Sequence, residues 1–374
     1  MADASGNNNV VPVIDMLHFP AQLPELIKAC EENGCFRLEN FDSILPVQLM
    51  SQMKAVVTEL FELPLEIKER NVDVIVGSGY NKPGKINSIH EGFGLYDIAS
   101  SHAVDAFCNQ LDATPQQRET IESYAKAVHE LITDIGQKVG QGLGLKSVPF
   151  EAWPCQFRIN KYPFTHETIG SDGLKTHTDN GFFTVVQDDE ILSGLEVMEK
   201  SGKFVAIDPC PGTLLVTLGD IATAWSNGRF YNVKHRVVCK EEGIRISIAT
   251  FLLGPRDTMV ETPLELVDSE HPCLYVPFKA ENGVLWIGIR SAKSGVGFGG
   301  HETPSGLNSS GARNLGGFSA FLKEDENKLM NRGGNNENLM ERGRVKPESI
   351  FNATLLAASG QPFVYGNYSF CSCC

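Results

Sequence analysis

The feature that most constrains the fold is a change in the period of apolar residues near Cys155. From there onward, apolar side chains recur at every second position, which is the pattern of half-buried β-strands. Gly- or Pro-bearing connections separate most of the segments, which are QFRINKYP, FFTVVQ, GLEVM, FVAI, TLLVTL, NVKHRVV and IRISIATFLL. Successive short strands at this spacing predict a sandwich or barrel rather than alternating β/α units.

Before Cys155 the period is mostly helical. A helix is predicted from Ala21 to Gly34, followed by a short strand in CFRLENF and a longer helix starting near Ser43. The clearest helix start is Thr114, because Pro follows it at the first helical position and Gln stands three residues on. The sequence therefore predicts helices first and then a closed β-unit.

Three segments are predicted along the 374 residues. Residues 1–112 form an N-terminal helical and strand region, and 113–282 form the long helix plus the β-core. Residues 283–374 are Gly-rich and have no usable hydrophobic period, so we expect this tail to be flexible.

Charge and cysteine usage bound the partners and the compartment. The net charge of −14 and the lack of clustered Lys and Arg argue against nucleic-acid binding. No apolar run is long enough to span a bilayer, and the N-terminus does not resemble a signal peptide. The ten cysteines include no CxxC pair. We therefore expect a cytoplasmic protein with free thiols that binds neither nucleic acid nor membranes.

The first candidate for chemistry is His-Thr-Asp at residues 177–179. In an extended chain, residues i and i+2 point the same way, so His177 and Asp179 can share one metal ion. His235, in the strand-like segment NVKHRVV, is the candidate third ligand. Two His and one carboxylate leave several positions open, as in non-haem iron(II) oxygenases, whereas zinc enzymes usually keep one position for water.

Arg245 and Ser247 are the second candidate group. Strand alternation places them on one face, which we expect to point into the cavity of the metal ligands. A buried Arg needs an anionic partner, and no acid stands at the neighbouring strand positions, so a small dicarboxylate is predicted. Asn160 and Tyr162 are predicted to donate further hydrogen bonds to it. His90 and Glu91 precede GFGLYD, and two readings stay open for them: they line the substrate pocket, or, as we expect, they lie on a surface loop.

These motifs resemble the plant 2-oxoglutarate-dependent dioxygenases. The similarity rests on RINKYP, HTD, NVKHRV and RIS, and extends from VPVIDM to LYVPFK. It implies an α+β fold with a double-stranded β-helix (jelly-roll) core and flanking helices. It also implies that His177, Asp179 and His235 bind iron(II), and that Arg245, Ser247, Tyr162 and Asn160 bind 2-oxoglutarate. Oxygen is the implied co-substrate and ascorbate an accessory reductant.

Within that family, segments such as GSGYNKPG, HEGFGLYDIAS and DIATAWSNGR resemble auxin-oxidising members. This implies oxidation of indole-3-acetic acid to 2-oxindole-3-acetic acid. Three alternatives stay open: a sister enzyme for another plant metabolite, an ethylene-forming type of oxidase that uses no 2-oxoglutarate, and a ligand-binding homologue with impaired turnover. The last arises because the chain after LYVPFK departs from the family pattern. We interpret that tail as the product of an alternative transcript or a read-through gene model.

Overall fold

The computed structural model describes residues 11–75, 77–84, 89–281, 284–288 and 312–314. Its helices are α1 Leu23–Glu32, α2 Val47–Phe61, α3 Leu65–Lys68, α4 Ser101–Gln110, α5 Pro115–Gly142 and α6 Asp220–Trp225. Its strands are β1 Val13–Asp15, β2 Cys35–Glu39, β3 Glu91–Tyr96, β4 Cys155–Phe164, β5 Asp172–His177, β6 Phe183–Gln187, β7 Leu195–Met198, β8 Phe204–Ala206, β9 Leu214–Leu218, β10 His235–Val238, β11 Gly243–Leu252, β12 Ala280–Glu281, β13 Val284–Gly288 and β14 Ala312–Asn314.

The observed starts of α5 and α2 can be compared with the capping and proline signals in the sequence. At the start of α5, the Thr114 hydroxyl accepts from the Gln117 N–H, and the Gln117 side chain accepts from the Thr114 N–H, so the predicted capping box is confirmed. The prediction that α2 begins near Ser43 is wrong. The helix begins after Pro46, because a proline disfavours the helical conformation at the residue that precedes it.

Two sheets form the β-core. The larger has the order β1-β2-β9-β6-β11-β4-β3, and the smaller has the order β5-β10-β7-β8. All seven period-two segments are strands of these sheets, so the predicted β-unit flanked by helices is confirmed. The proposed division at residue 112 stays a prediction.

The larger sheet is buried on both faces. Its outer face packs on the helices, where Phe157 and Ile248 join the same apolar cluster as Tyr124 of α5. Its inner face packs against the smaller sheet, where Tyr162 lies in a second cluster with Val237 of β10. Because side chains alternate along a strand, Arg158, Asn160 and Tyr162 of β4, with Arg245, Ser247 and Ala249 of β11, all belong to the inner face.

The Gly-rich tail lies largely outside the described residues. The predicted flexibility of residues 283–374 and the interpretation of how this tail arose therefore concern residues that lie largely outside the described ranges. The strands β13 and β14 are the exception, since they pair with each other, and β13 also pairs with β12. None of the helices in the described ranges combines the length and apolar composition needed to cross a bilayer.

Candidate active site

The three predicted metal ligands lie together between the two sheets. His177 ends β5 and His235 begins β10, and the two residues are direct partners in the antiparallel pairing of these strands. Asp179 follows His177 by two residues. Each of the three side chains offers one ligand atom, and these atoms all lie within 4.8 Å of one another. The register of one strand pair therefore converts two distant sequence motifs into one site.

The two oxygens of Asp179 have different surroundings. Oδ1 lies 3.6 Å from the Nε2 atoms of both His177 and His235. Oδ2 accepts hydrogen bonds from the hydroxyls of Thr184 at 2.5 Å and Thr217 at 3.3 Å. The two threonines stand opposite each other on β6 and β9 of the larger sheet. They hold the carboxylate so that Oδ1 faces the two imidazoles.

Both imidazoles present Nε2 to the centre of the group. The Nδ1 atoms of His177 and His235 lie 2.8 Å and 3.3 Å from the carbonyl oxygens of Lys175 and Val233. Such a carbonyl accepts the Nδ1 proton, which leaves the Nε2 lone pair for a metal ion.

The electrostatics of the group favour a cation. Burial disfavours the charged form of Asp179, but the imidazoles and the Thr184 hydroxyl hold its pKa below the ordinary value. Burial lowers the pKa of His235, which keeps this ring neutral and able to bind a metal. Burial also opposes protonation of His177, but the Asp179 carboxylate outweighs it and raises the pKa. A bound cation would reverse that rise, since a metal ligand must be unprotonated.

Arg245 is buried on the inner face, with an exposure of 1%. Its Cζ lies 5.2 Å from the centroid of the Tyr162 ring, and the two residues are register partners. Within the described part of the chain, its Nε and Nη1 atoms have no hydrogen-bond partner. A buried, charged hydrogen-bond donor without a partner costs free energy. These two nitrogens are therefore suited to bind an anion.

The expectation that no acid stands near Arg245 is wrong. Its Nη2 donates to Oδ1 of Asp188, which directly follows β6. β6 lies next to β11 in the sheet, although 57 residues separate the pair in sequence. Asp188 thus neutralises the arginine from one side, and the two unpaired nitrogens remain for a ligand.

Ser247, Asn160 and Tyr162 lie beside Arg245 as predicted. Ser247 is the register partner of Asn160, and its hydroxyl hydrogen-bonds to Tyr162. The neighbouring polar side chains therefore share one face with the arginine.

His90 lies in the irregular segment before β3, as predicted, but it is half-buried rather than fully at the surface. Its ring centroid lies 5.6 Å from that of Tyr162, and its Nε2 lies 3.1 Å from the Asn81 amide nitrogen. Neighbouring Glu91 is buried on β3, against the surface-loop expectation, and it accepts from Lys68 Nζ and from the Tyr80 hydroxyl. The local sequence did not indicate these contacts, because the partners are Tyr162 of β4 and side chains of the segment from Lys68 to Asn81.

The donor set fits iron(II). Two neutral imidazole nitrogens and one carboxylate oxygen occupy one side of a metal ion and leave the other side for exchangeable ligands. A buried arginine with two unpaired donors lies on the wall of the same sandwich. Fold and site together define a mononuclear non-haem iron oxygenase that uses a small anionic co-substrate.

Comparison with known proteins narrows this class. Residues 153–254 match a model of the 2OG-Fe(II) oxygenase superfamily, and residues 11–118 match one for the N-terminal region of the non-haem dioxygenase in morphine synthesis. The chain is 50% identical over 255 residues to the 2-oxoglutarate-dependent dioxygenase DAO of Oryza sativa, covering 68% of this chain and 84% of the relative. The chain belongs to the 2OG-Fe(II) oxygenase superfamily. It is a 2-oxoglutarate-dependent dioxygenase, and its cofactors are iron(II) and 2-oxoglutarate, with O2 as co-substrate.

Solved structures show the same likeness. One is the dioxygenase for auxin oxidation 1 from Arabidopsis thaliana in a binary complex with 2-oxoglutarate, with 51% identity and a TM-score of 0.68. It covers 70% of this chain and 99% of the other. The crystal structure of the rice dioxygenase for auxin oxidation has 47% identity and a TM-score of 0.67, covering 72% of this chain and 92% of the other. These likenesses confirm the predicted double-stranded β-helix with flanking helices.

Proposed function

We propose that this protein oxidises indole-3-acetic acid to 2-oxindole-3-acetic acid. One oxygen atom of O2 enters the substrate and the other enters succinate, which forms with CO2 from 2-oxoglutarate. The observation that carries the reaction class is the convergence of His177, Asp179 and His235 on one point. The substrate rests on the 50% identity to a relative that is named for auxin oxidation.

In this proposal the three side chains bind iron(II), which supplies the oxidising chemistry once 2-oxoglutarate and oxygen are bound. Thr184 and Thr217 fix the Asp179 carboxylate, so that the oxygen facing the imidazoles cannot rotate away. A ligand carboxylate held within this pair of hydroxyls loses little conformational freedom when the metal binds.

Arg245 binds the distal carboxylate of 2-oxoglutarate through its unpaired Nε and Nη1 donors. Ser247 adds a hydroxyl donor, and Tyr162 and Asn160 line the same wall. Because these groups lie on two paired strands, the co-substrate is positioned by rigid backbone rather than by a loop. No side chain acts as nucleophile or general base.

The test is an aerobic assay of purified protein with iron(II), 2-oxoglutarate and indole-3-acetic acid. We expect equal amounts of succinate and 2-oxindole-3-acetic acid, and no product when 2-oxoglutarate is omitted. The Asp179→Ala variant is the matched control, and it should fold but form neither product. Binding of indole-3-acetic acid without succinate release contradicts the proposal and supports the ligand-binding alternative. Product formation that does not need 2-oxoglutarate supports the ethylene-forming type of oxidase.

We further propose that ascorbate sustains turnover by keeping the iron reduced, and that the protein works in the cytoplasm. Support for a reducing compartment comes from its cysteines, of which Cys30, Cys35, Cys108 and Cys155 are buried free thiols. Omission of ascorbate from the assay and imaging of a fluorescent fusion test the two statements.

A further inference from the structure

A buried carboxylate lies beside the metal ligands without being one of them. Asp220 is the first residue of α6, one glycine after the end of β9, and its exposure is 0%. It does not belong to the group of three side chains that converge on one point. Burial of a carboxylate costs free energy unless hydrogen bonds compensate for the lost water. The partners of this carboxylate therefore indicate why it is there.

The carboxylate connects the two segments that carry the metal ligands. Its Oδ1 accepts from the side-chain amide of Asn232, and its Oδ2 accepts from the Thr178 hydroxyl at 3.4 Å. Thr178 stands between the first two ligands, and Asn232 precedes the third, His235, by three residues. An acid in the first turn of a helix commonly interacts with the helix dipole, but both oxygens here accept from side chains outside the helix. The carboxylate therefore bridges the end of β5 to the start of β10.

The backbone of the same turn holds the segment that carries Asp179. The Asp220 N–H donates to the Asp179 carbonyl at 2.8 Å. The next N–H, that of Ile221, donates to the Gly181 carbonyl at 3.2 Å. A Cβ atom at Gly219 would lie 2.3 Å from the Gly181 carbonyl oxygen and 2.6 Å from that of Asp179, which is closer than a side chain tolerates. Glycine followed by aspartate thus lets the turn approach the ligand segment and bind it.

Strand pairing alone leaves part of this geometry open. The register of β5 with β10 shifts between His235 and Val237 and again between Val237 and Val238. His177 and His235 form the last register pair at that end of the two strands. Each shift interrupts the regular pattern of backbone hydrogen bonds, so an irregular ladder constrains its last pair less than a regular one does. A bridge just beyond the two histidines adds a constraint where the ladder ends.

We propose that Asp220 is a positioning residue for the iron site, which fixes the spacing of the two ligand segments before the metal binds. Through Thr178 it acts on the first two ligands, and through Asn232 it acts on His235. Ligands that are already held at the right spacing lose less conformational freedom when a metal binds. The proposal concerns metal binding only, so it does not depend on the identity of the substrate.

The experiment is a cobalt(II) titration of the full chain without 2-oxoglutarate or substrate, because the absorption spectrum of bound cobalt reports both affinity and coordination geometry. We expect Asp220→Ala to bind cobalt roughly 10-fold more weakly and with a changed spectrum, at the lower end of the loss typical of groups that orient metal ligands. Asp220→Asn keeps one acceptor oxygen and should lose less. The double variant Asp220→Asn/Asn232→Asp exchanges the amide and the carboxylate and so restores a hydrogen bond between them in the opposite direction. Its affinity should return to within about threefold of the wild type.

Two variants that leave the charge of Asp220 in place separate the bridge from simple attraction of a cation. Thr178→Val and Asn232→Leu each remove one hydrogen bond to the carboxylate. We expect Asn232→Leu to weaken cobalt binding about three- to tenfold, and Thr178→Val to weaken it less, since the Thr178 bond is the longer of the two.

Asp189→Asn is the matched control for the loss of a buried carboxylate. Asp189 is buried in the same β-core, but it accepts from the backbone N–H groups of Ile191 and Leu192 rather than from the ligand segments. This variant should bind cobalt like the wild type. Urea unfolding of the metal-free proteins measures the stability of each variant separately.

Wild-type affinity and spectrum in folded Asp220→Ala would overturn the proposal. Wild-type binding in both Thr178→Val and Asn232→Leu would also overturn it, and this pair decides the question if Asp220→Ala does not fold. An equal loss of affinity in Asp189→Asn would assign the effect to general destabilisation and overturn it as well. Product analysis keeps the two proposals apart: if the wild type forms no 2-oxindole product but the cobalt results are as expected, the proposed function fails and the positioning role stands.

Discussion

Replacement of Arg245 by Ala gives the sharpest test of the co-substrate site. The side chain is 1% exposed, and its Nε and Nη1 have no partner among the described residues, so both are available to a carboxylate. A hydrogen bond to a charged group contributes about 1.5–3 kcal/mol. Two bonds that share one charge pair should together contribute about 3 kcal/mol, or roughly 150-fold in the dissociation constant of 2-oxoglutarate.

The same substitution also affects stability, through Asp188. This side chain is 16% exposed and loses its counterion when Arg245 is removed. Loss of one partner of a buried ion pair costs about 3–5 kcal/mol, and partial exposure should reduce this to about 2 kcal/mol. The double variant Arg245→Ala/Asp188→Asn removes both charges, so it should recover most of the unfolding free energy without recovering the affinity.

Calorimetric titration of 2-oxoglutarate and urea unfolding of the three proteins measure the two effects separately. Weak binding in both variants, with stability lost only in the single variant, is the expected result. An affinity within about threefold of the wild type in either variant would refute the assignment of Arg245 to the co-substrate. Recovery of affinity in the double variant would show that the carboxylate of Asp188, rather than the missing guanidinium, caused the loss.

Three other predictions concern single side chains. Thr184→Val removes the 2.5 Å hydrogen bond to Asp179 and should weaken iron binding about 10- to 100-fold with little change in unfolding temperature, as measured by metal titration. Thr114→Ala removes the helix cap and should lower the unfolding free energy by about 1 kcal/mol while leaving turnover unchanged, and a turnover loss would contradict a purely structural role. Glu91→Ala leaves the half-buried Lys68 without its ion-pair partner and should cost about 2 kcal/mol in urea unfolding, so a cost under about 0.5 kcal/mol would show that the pair is solvated.

Much of the architecture could be predicted from local pattern. The period-two segments of the larger sheet become strands with one face toward the helices and one toward the smaller sheet, whereas β7 and β10 alternate between one buried face and one that is partly exposed. Thr114 and Gly34 mark helix boundaries through backbone geometry that depends on a few neighbouring residues. The start of α2 lies later than the predicted Ser43, because Pro46 disfavours the helical conformation at the residue before it.

The groups that support the site were harder to predict. Thr184 and Thr217 look like ordinary strand threonines, and nothing in their local sequence indicates that both donate to Asp179. Asp188 directly follows a strand, and only the position of β6 beside β11 brings it to Arg245.

The sequence by itself determined the candidate residues for the chemistry, because His-Thr-Asp, the later histidine and Arg-x-Ser are short patterns whose donor types suit a metal and an anion. Tertiary structure alone decided which atoms face each other. Strand register brings His177 opposite His235, places two hydroxyls on one oxygen of Asp179, and pairs Arg245 with Asp188. The physical reason is that local propensity depends on a few neighbouring residues, whereas electrostatics and hydrogen bonding act through space between strands that are distant in the chain.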